Sequence, residues 1–213
     1  MVDPGKFIRA FFDGDQEEVK GLIQQALDQG EDADIILKLG LQKAMEHVGL
    51  KFRNDEIYIP EVLVAAQTMH AGLEVLKPVL SKGASSKGPK VVLGTVKSDI
   101  HDIGKNLVGM MLEGGGFEVI DIGTDAPTEK FVQVAQDNDA EMIAMSALLT
   151  TTMPGIQATI EAIEAAGLNK RVKTLVGGAP VTEEYAREVG ADGYAPDAGS
   201  AVEKAKELLG LKS

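Results

Sequence analysis

From residue 89 onward, short apolar runs alternate with helix-like segments, and this alternation restricts the fold more than any other feature of the chain. The runs are Val91–Val96, Phe117–Ile122, Met142–Ser146, Val172–Val176 and, more weakly, Gly193–Ala195. Helical segments fall near 105–114, 128–137, 154–166, 182–189 and 198–209. Strands that alternate with helices imply right-handed βαβ crossovers and a parallel sheet covered on both faces. The expectation is an α/β, Rossmann-like domain over 89–213 with a five-stranded parallel sheet. Ligands of such sheets bind beyond the carboxyl ends of the strands. A dinucleotide site is disfavoured, because no Gly-x-Gly-x-x-Gly follows the first run.

Residues 1 to about 80 have a different texture and read as helical. Asp13-Gly14-Asp15 has the composition of a turn and cap, and Glu17 and Glu18 then sit where a helix dipole favours acids. Val19, Leu22, Ile23 and Leu27 recur at helical spacing up to Gly30. A third helix is expected from about Asp32 to Phe52, with Ile35, Ile36, Leu39, Leu41, Ala44 and Val48 sharing one broad apolar stripe. After the break at Asn54-Asp55-Glu56, Pro60 suits the start of a fourth helix, Glu61 to about Leu80. Four helices with short turns predict a small antiparallel bundle over 1–82. Ser81-Lys82-Gly83-Ala84-Ser85-Ser86-Lys87-Gly88 has the composition of a linker between the two domains.

Charge and composition remove several functions. A formal net charge of −12 argues against nucleic acid, which selects basic faces. No apolar run approaches the ~20 residues of a membrane span. The stretch Met1-Val2-Asp3-Pro4-Gly5-Lys6 lacks the apolar core of a signal peptide, and zero Cys fits a reducing compartment, so a cytoplasmic protein is expected. With no Cys and only three His (His47, His70 and His101), a transition-metal site built wholly from protein ligands is hard to assemble. A metal delivered inside an organic macrocycle needs only one.

The first run leads into Asp99-Ile100-His101-Asp102-Ile103-Gly104-Lys105-Asn106, a polar loop opening onto a helix. A neutral imidazole can bind metal through one ring nitrogen while a carboxylate holds the other N–H. By itself the fragment also reads as a polar loop whose Asp caps the helix and whose His has no role. Further along, Asp99-x-His101-x-x-Gly104 is followed after 41 residues by Ser146-Ala147-Leu148, and after 28 more by Gly177-Gly178.

Asp-x-His-x-x-Gly, Ser-x-Leu and Gly-Gly in that order resemble the cobalamin-binding signature of corrinoid proteins and of the cobalamin domain of methionine synthase. The string Thr95-Val96-Lys97-Ser98-Asp99-Ile100-His101-Asp102-Ile103-Gly104-Lys105-Asn106-Leu107-Val108-Gly109 is similar to the family's own. The resemblance implies that His101 is the lower axial ligand of cobalt, replacing the cofactor's dimethylbenzimidazole, and that Asp99 accepts the other imidazole N–H. A hydroxyl completes the family's Asp-His-Ser chain. Thr152 stands at the matching position, where a helix N-cap ahead of Pro154 is an alternative. Ser146, Leu148 and Thr150 would line the slot for the displaced base, with strand-end packing as the alternative reading. Gly104 would let the loop approach the corrin ring. Gly177 and Gly178 would let the backbone approach the nucleotide tail, or else form a plain left-handed turn. Tyr194 and Asp197-Ala198 would flank that tail.

In the helical half, Phe52-Arg53-Asn54-Asp55-Glu56-Ile57-Tyr58-Ile59-Pro60 resembles the methionine synthase segment that covers the methyl-bearing face. Phe52 and Ile59 stand at the covering positions; periodicity alone would equally make them bundle core. Met45, Met69, Met110, Met111, Met142 and Met145 read as core filler.

The family resemblance implies a methyl carrier, not catalytic alone. Such a protein accepts a methyl group on Co(I) from a substrate-specific methyltransferase and passes it as methyl-Co(III) to a second methyltransferase. Donors in the family are methanol, methylamines, methoxylated aromatics or betaines, and acceptors are tetrahydrofolate or a thiol. Two other classes share Asp-x-His-x-x-Gly. An adenosylcobalamin mutase small subunit typically lacks a methyl-covering bundle. A cobalamin sensor usually carries an output module, and the acidic helical half offers no basic recognition helix.

Overall fold

A computed structural model describes residues 2–80 and 88–211, so most of the expected linker, 81–87, lies outside the described residues. The chain divides into two units, Met1–Lys87 with Gly114–Gly116, and Gly88–Glu113 with Phe117–Ser213.

In the first unit, aspartates start the helices. Asp3 caps α1 (Pro4–Asp13), accepting from the Gly5 amide at 3.0 Å. Asp15 caps α2 (Gln16–Asp28), accepting from Glu18 at 2.9 Å, and Asp32 caps α3 (Ala33–Ile36) through the Asp34 amide at 2.9 Å. Each carboxylate satisfies a backbone donor that the helix leaves unpaired. Gly14, at φ +68, ends α1 in the left-handed conformation that Gly adopts without penalty. A π-helical turn over Leu37–Gln42 joins α3 to α4 (Lys43–Arg53), and α5 spans Ile59–Leu80. Phe7, Phe11, Val19, Ile23, Ile36, Leu41 and Leu76 are fully buried or nearly so and form this unit's core.

The third expected helix therefore departs from a uniform α-helix. A π turn inserts one residue and rotates everything beyond it about the helix axis. Ile36, Leu41, Ala44 and Val48 are buried, whereas Ile35 and Leu39 are 43% and 49% exposed. The single stripe through all six residues is not formed: at about 100° per residue Ile35 and Leu39 lie on the face opposite Leu41, Ala44 and Val48. The wide turn carries Gly40, where a Cβ would lie 3.0 Å from the Phe7 ring. The fourth helix begins at Ile59 rather than Glu61, with Pro60 in its first turn.

The second unit is the expected α/β fold. Its strands are β1 (Lys90–Thr95), β2 (Glu118–Asp121), β3 (Met142–Ser146), β4 (Lys173–Gly177) and β5 (Gly193–Tyr194). They form one all-parallel sheet of order β2-β1-β3-β4-β5. Helices α6 (Ile103–Gly114), α7 (Thr128–Asp137), α8 (Pro154–Ala165), α9 (Glu183–Glu188) and α10 (Ala198–Leu208) make the connections. Val92, Phe131, Ile143, Ile156, Ile163, Val172 and Val176 are almost wholly buried in one core cluster, in keeping with aliphatic packing where aromatics are only 4% of the chain.

The topology selects the place for a site. After β1 the chain adds β2 on one side and then crosses to place β3 on the other, so the order reverses between β1 and β3. A crevice opens at the carboxyl ends of the strands at such a switch point. Thr95 pairs in register with Ser146, and Ser146 with Gly177, so these three strand ends stand at one level of the sheet.

Candidate functional site

The Asp99 carboxylate is the centre of the crevice. Asp99 is fully buried, and both of its oxygens are filled. Oδ1 accepts from the His101 amide at 3.1 Å and lies 2.7 Å from His101 Nδ1. Oδ2 accepts from the Leu148 amide and from the Thr152 hydroxyl, each at 2.7 Å. Burial by itself would raise the pKa of this carboxyl. The bonds from Thr152, the Leu148 amide and His101 outweigh it and hold the group well below the ordinary carboxylate range. Asp99 is therefore an anion that has used its four acceptor positions.

An ionised Asp99 fixes the histidine. The short contact to an ionised carboxylate requires Nδ1 to carry a proton, and in the neutral imidazole the Nε2 lone pair is then free. The imidazole side chain is 45% exposed, so its free edge is accessible. Ile100 and Ile103 flank it in the same loop at 76% and 71% exposure, and Leu148 and Leu149 are also exposed across the switch point. Large aliphatic side chains held open around a buried anion suit a flat apolar ligand with a metal at its centre. Gly104 lies in the first turn of α6, and a Cβ there would meet nothing within 4 Å. Among the described residues no group of three or more His, Cys, Asp or Glu could hold a metal ion. The site offers one nitrogen donor with an acid behind it, which fits a metal that brings its other ligands with it.

Thr152 does not cap α8: that position belongs to Met153, which makes no side-chain cap bond. Its buried hydroxyl turns inward instead. Oγ1 lies 2.7 Å from Asp99 Oδ2 and 2.8 Å from the Leu149 carbonyl, and accepts from the Leu149 amide at 3.3 Å. One proton thus has two acceptors in reach. The replacement of a family Ser by Thr leaves the hydrogen-bonded chain Thr152–Asp99–His101 continuous.

The remaining expected residues are less closely joined. Ser146 ends β3, half-buried, and Thr150 is exposed in the loop beyond it. Gly177 ends β4, where a Cβ would lie 2.8 Å from the Ala195 carbonyl. At Gly178, φ is +122 and a Cβ would lie 2.0 Å from the Ala147 carbonyl. This glycine is required by contact with the next strand's loop, whatever ligand lies beyond. Tyr194 is half-buried against the core cluster, and Asp197 caps α10 through Ser200. Phe52, half-buried in the last turn of α4, and Ile59, 42% exposed at the start of α5, belong to the other unit.

Several contributors carry no sequence signal of their own. The Leu148 amide acts through its backbone, so the Leu side chain in Ser-x-Leu gives no hint of it. Ile100 and Ile103 were readable as apolar residues in a polar loop. Lys105 has a buried side chain, and its ammonium donates to Asp121 and, at 2.7 Å, to Asn106 Oδ1, tying the start of α6 to the end of β2.

A sequence model of the B12 binding domain matches residues 89–203, and a second model of the same description matches residues 5–77. Dimethylamine corrinoid protein 1 of Methanosarcina acetivorans is 45% identical over 91% of each chain. The crystal structure of a cobalamin-binding protein from Desulfitobacterium hafniense superposes with a TM-score of 0.82 at 30% identity, covering 98% of this chain and 99% of that one. In the methanol:cobalamin methyltransferase complex MtaBC from Methanosarcina barkeri, one chain superposes with a TM-score of 0.84 at 27% identity, covering 98% of this chain and 80% of that one. No helix among the described residues is long and apolar enough to cross a membrane. A B12 binding domain model that matches more than half of the chain makes this protein a member of the B12-binding family, whose cofactor is a cobalamin or related corrinoid.

Proposed function

We propose that this protein is the methyl-carrying subunit of a corrinoid-dependent methyltransferase system. A methyl group is taken from a donor on a substrate-specific methyltransferase and passed to tetrahydrofolate or a thiol on a second methyltransferase. A bound corrinoid would supply a nucleophilic cobalt for methyl transfer between the two. His101 Nε2 would bind that metal, Asp99 would keep the proton on Nδ1, and Thr152 would support Asp99. Ser146, Leu148, Thr150, Gly177 and Gly178 line the slot for the displaced base and its tail. The helical domain, 1–82, is the methyl cap, in which Phe52 and Ile59 exclude water and oxidants from the reactive face.

The observation that carries the reading is the pairing of the Thr152–Asp99–His101 chain with a second unit that itself matches a B12 binding model. Methylated amines are the first donors to test, because a dimethylamine corrinoid protein is 45% identical. The assay reduces the cobalamin-loaded protein to Co(I), adds a methylamine with its methyltransferase, and follows the cobalt absorption spectrum. The expected result is conversion to the methylated spectrum, reversed by adding an acceptor methyltransferase with its thiol or folate. Isolation of the protein with adenosylcobalamin, together with failure of Co(I) to take a methyl group from any donor system offered, would overturn the reading.

A further inference from the structure

Hydrogen bonds to Asp99 and Nδ1 orient the imidazole ring, but the ring can be no better placed than the loop that bears it. That loop is held from outside the Asp-x-His motif. Thr95, the last residue of β1, is fully buried, and its hydroxyl donates to the His101 carbonyl at 2.8 Å. The Thr95 amide donates to the Gly123 carbonyl at 3.0 Å, and its carbonyl accepts from the Ala126 amide at 3.0 Å. Between those two residues stands Asp125. Its amide donates to the Asp99 carbonyl at 2.8 Å, while its carboxylate Oδ1 accepts from the Ser98 amide at 2.7 Å.

This exchange has an unusual backbone. Ser98 lies at φ +67 and Asp125 at φ +50, so both are non-glycine residues in the left-handed region. L-residues adopt that region at a penalty, and Asp is among the few that enter it readily. Such outliers persist where the surroundings fix them. Here each is fixed by the other. The segment 98–101 is thereby tied at the Ser98 amide, the Asp99 carbonyl and the His101 carbonyl, one hold on each residue next to or within the acid–imidazole pair.

We propose that Asp125, together with Thr95, is a positioning residue for the axial imidazole, setting where His101 Nε2 stands relative to a bound corrinoid. The inference rests on the reading of His101 as the axial ligand. Neither residue touches the cofactor in this scheme; both act through the loop backbone. Removing either hold lets the loop relax toward arrangements in which Nε2 is withdrawn, and the ligand is lost while the cofactor stays in its slot.

The test uses the full-length protein loaded with cobalamin carrying nitrogen-15 in its benzimidazole, with electron paramagnetic resonance of the Co(II) form. Wild-type protein should show coupling to an unlabelled nitrogen, which is histidine. Coupling to the labelled base in the wild type would overturn the ligand reading itself, separately from the positioning. Asp125→Gly keeps the left-handed backbone and removes the acceptor; Thr95→Val keeps the shape and removes the hydroxyl. Each should lower the ratio of histidine-bound to histidine-free Co(II) roughly fivefold, the change that loss of one net hydrogen bond carries. Cobalamin affinity should change by less than that ratio. Asp125→Asn and Thr95→Ser retain the bonding atoms and should restore the wild-type ratio. Amide exchange in the apo-protein should quicken at Ser98 in Asp125→Gly and stay slow in Asp125→Asn. An unchanged ratio in both Asp125→Gly and Thr95→Val would overturn the proposal. So would failure of both to fold, because the two residues would then be general scaffold rather than a local hold.

Discussion

The two units reach a binding surface by opposite routes. In the α/β unit, candidate residues come from segments far apart in sequence, and hydrogen bonds with defined direction join them: Asp99 to Leu148 and Thr152, Thr95 to His101. In the helical unit, the candidates Phe52 and Ile59 are seven residues apart and apolar, on either side of one break between helices. Polar bonds specify a position to a few tenths of an ångström, whereas apolar cover specifies little beyond being water-free. A ligand atom must stand at one point; a cover need only exclude solvent. In the proposed reading, each unit has the kind of residue its task would demand.

This contrast can be broken at its stiffest point. Gly178→Ala would drive a Cβ to 2.0 Å from the Ala147 carbonyl at a φ of +122. The expected loss is on the order of 4 kcal/mol or more, an exceptional value for one methyl group, measured by urea unfolding of the apo-protein. Gly104→Ala, with open space around its Cβ, should change apo stability by less than about 0.5 kcal/mol. If the two alanine variants unfold alike, the strand ends are not held as described.

Within the helical unit, Phe11→Ala removes a fully buried ring and should cost about 3–5 kcal/mol by thermal or chemical unfolding. Phe52→Ala should cost clearly less, about 1–2 kcal/mol, since that ring is only half-buried. Photolysis of a methylated cofactor and oxidation of Co(I) should nevertheless speed up in Phe52→Ala alone. Equal destabilisation with unchanged cobalt chemistry would return Phe52 to the core and remove the distinction.

In the α/β unit, Asp99→Ala leaves the buried Thr152 hydroxyl and the Leu148 amide without their shared acceptor, for a loss of about 2–3 kcal/mol in apo unfolding. Thr152→Val removes one of those donors and should cost about 1 kcal/mol, restored by Thr152→Ser. Smallest of all, His101→Ala should shift apo stability by less than about 1 kcal/mol, because the half-exposed ring gives only one of the four hydrogen bonds that Asp99 accepts. Its variant should still bind cobalamin, now without the axial histidine signal. Complete loss of binding in a folded His101→Ala would mean that the ligand, and not the slot, holds the cofactor.

Much of this was readable in advance. The five apolar runs became the five strands, and Asp99 and His101 stand as a bonded pair, as the family resemblance implied. Local pattern suffices for these, because a strand's burial and an i, i+2 pair are set within a few residues. What sequence could not give was set by long-range packing. The π turn at Leu37–Gln42 brings Gly40 against the Phe7 ring, far earlier in the chain, and Ile35 and Leu39 lie outside the buried face expected to include them. Thr152 could be a cap or a link until β1 and β3 were paired. The Asp125–Ser98 exchange joins the Asp-x-His loop to a second loop that carries no motif of its own.

The level at which Thr95, Ser146 and Gly177 align also determines when a growing chain can first meet its cofactor. Asp99 and Thr152 are 53 positions apart, and the bond between them forms once β1 and β3, neighbours in the sheet but not consecutive in sequence, have paired. Such closures are slow, because the entropy of a long loop is lost before its contacts form. If the proposed slot is right, a ribosome that has made the loop of Asp99 and His101 has made only part of the site; the chain must be synthesised past Gly177 and its sheet zipped before a corrinoid finds a lodging. Anything that then binds the folded form alone draws the folding equilibrium toward it. Supply of the corrinoid thus serves as a final step of maturation, rewarding only chains whose three strand ends have come level.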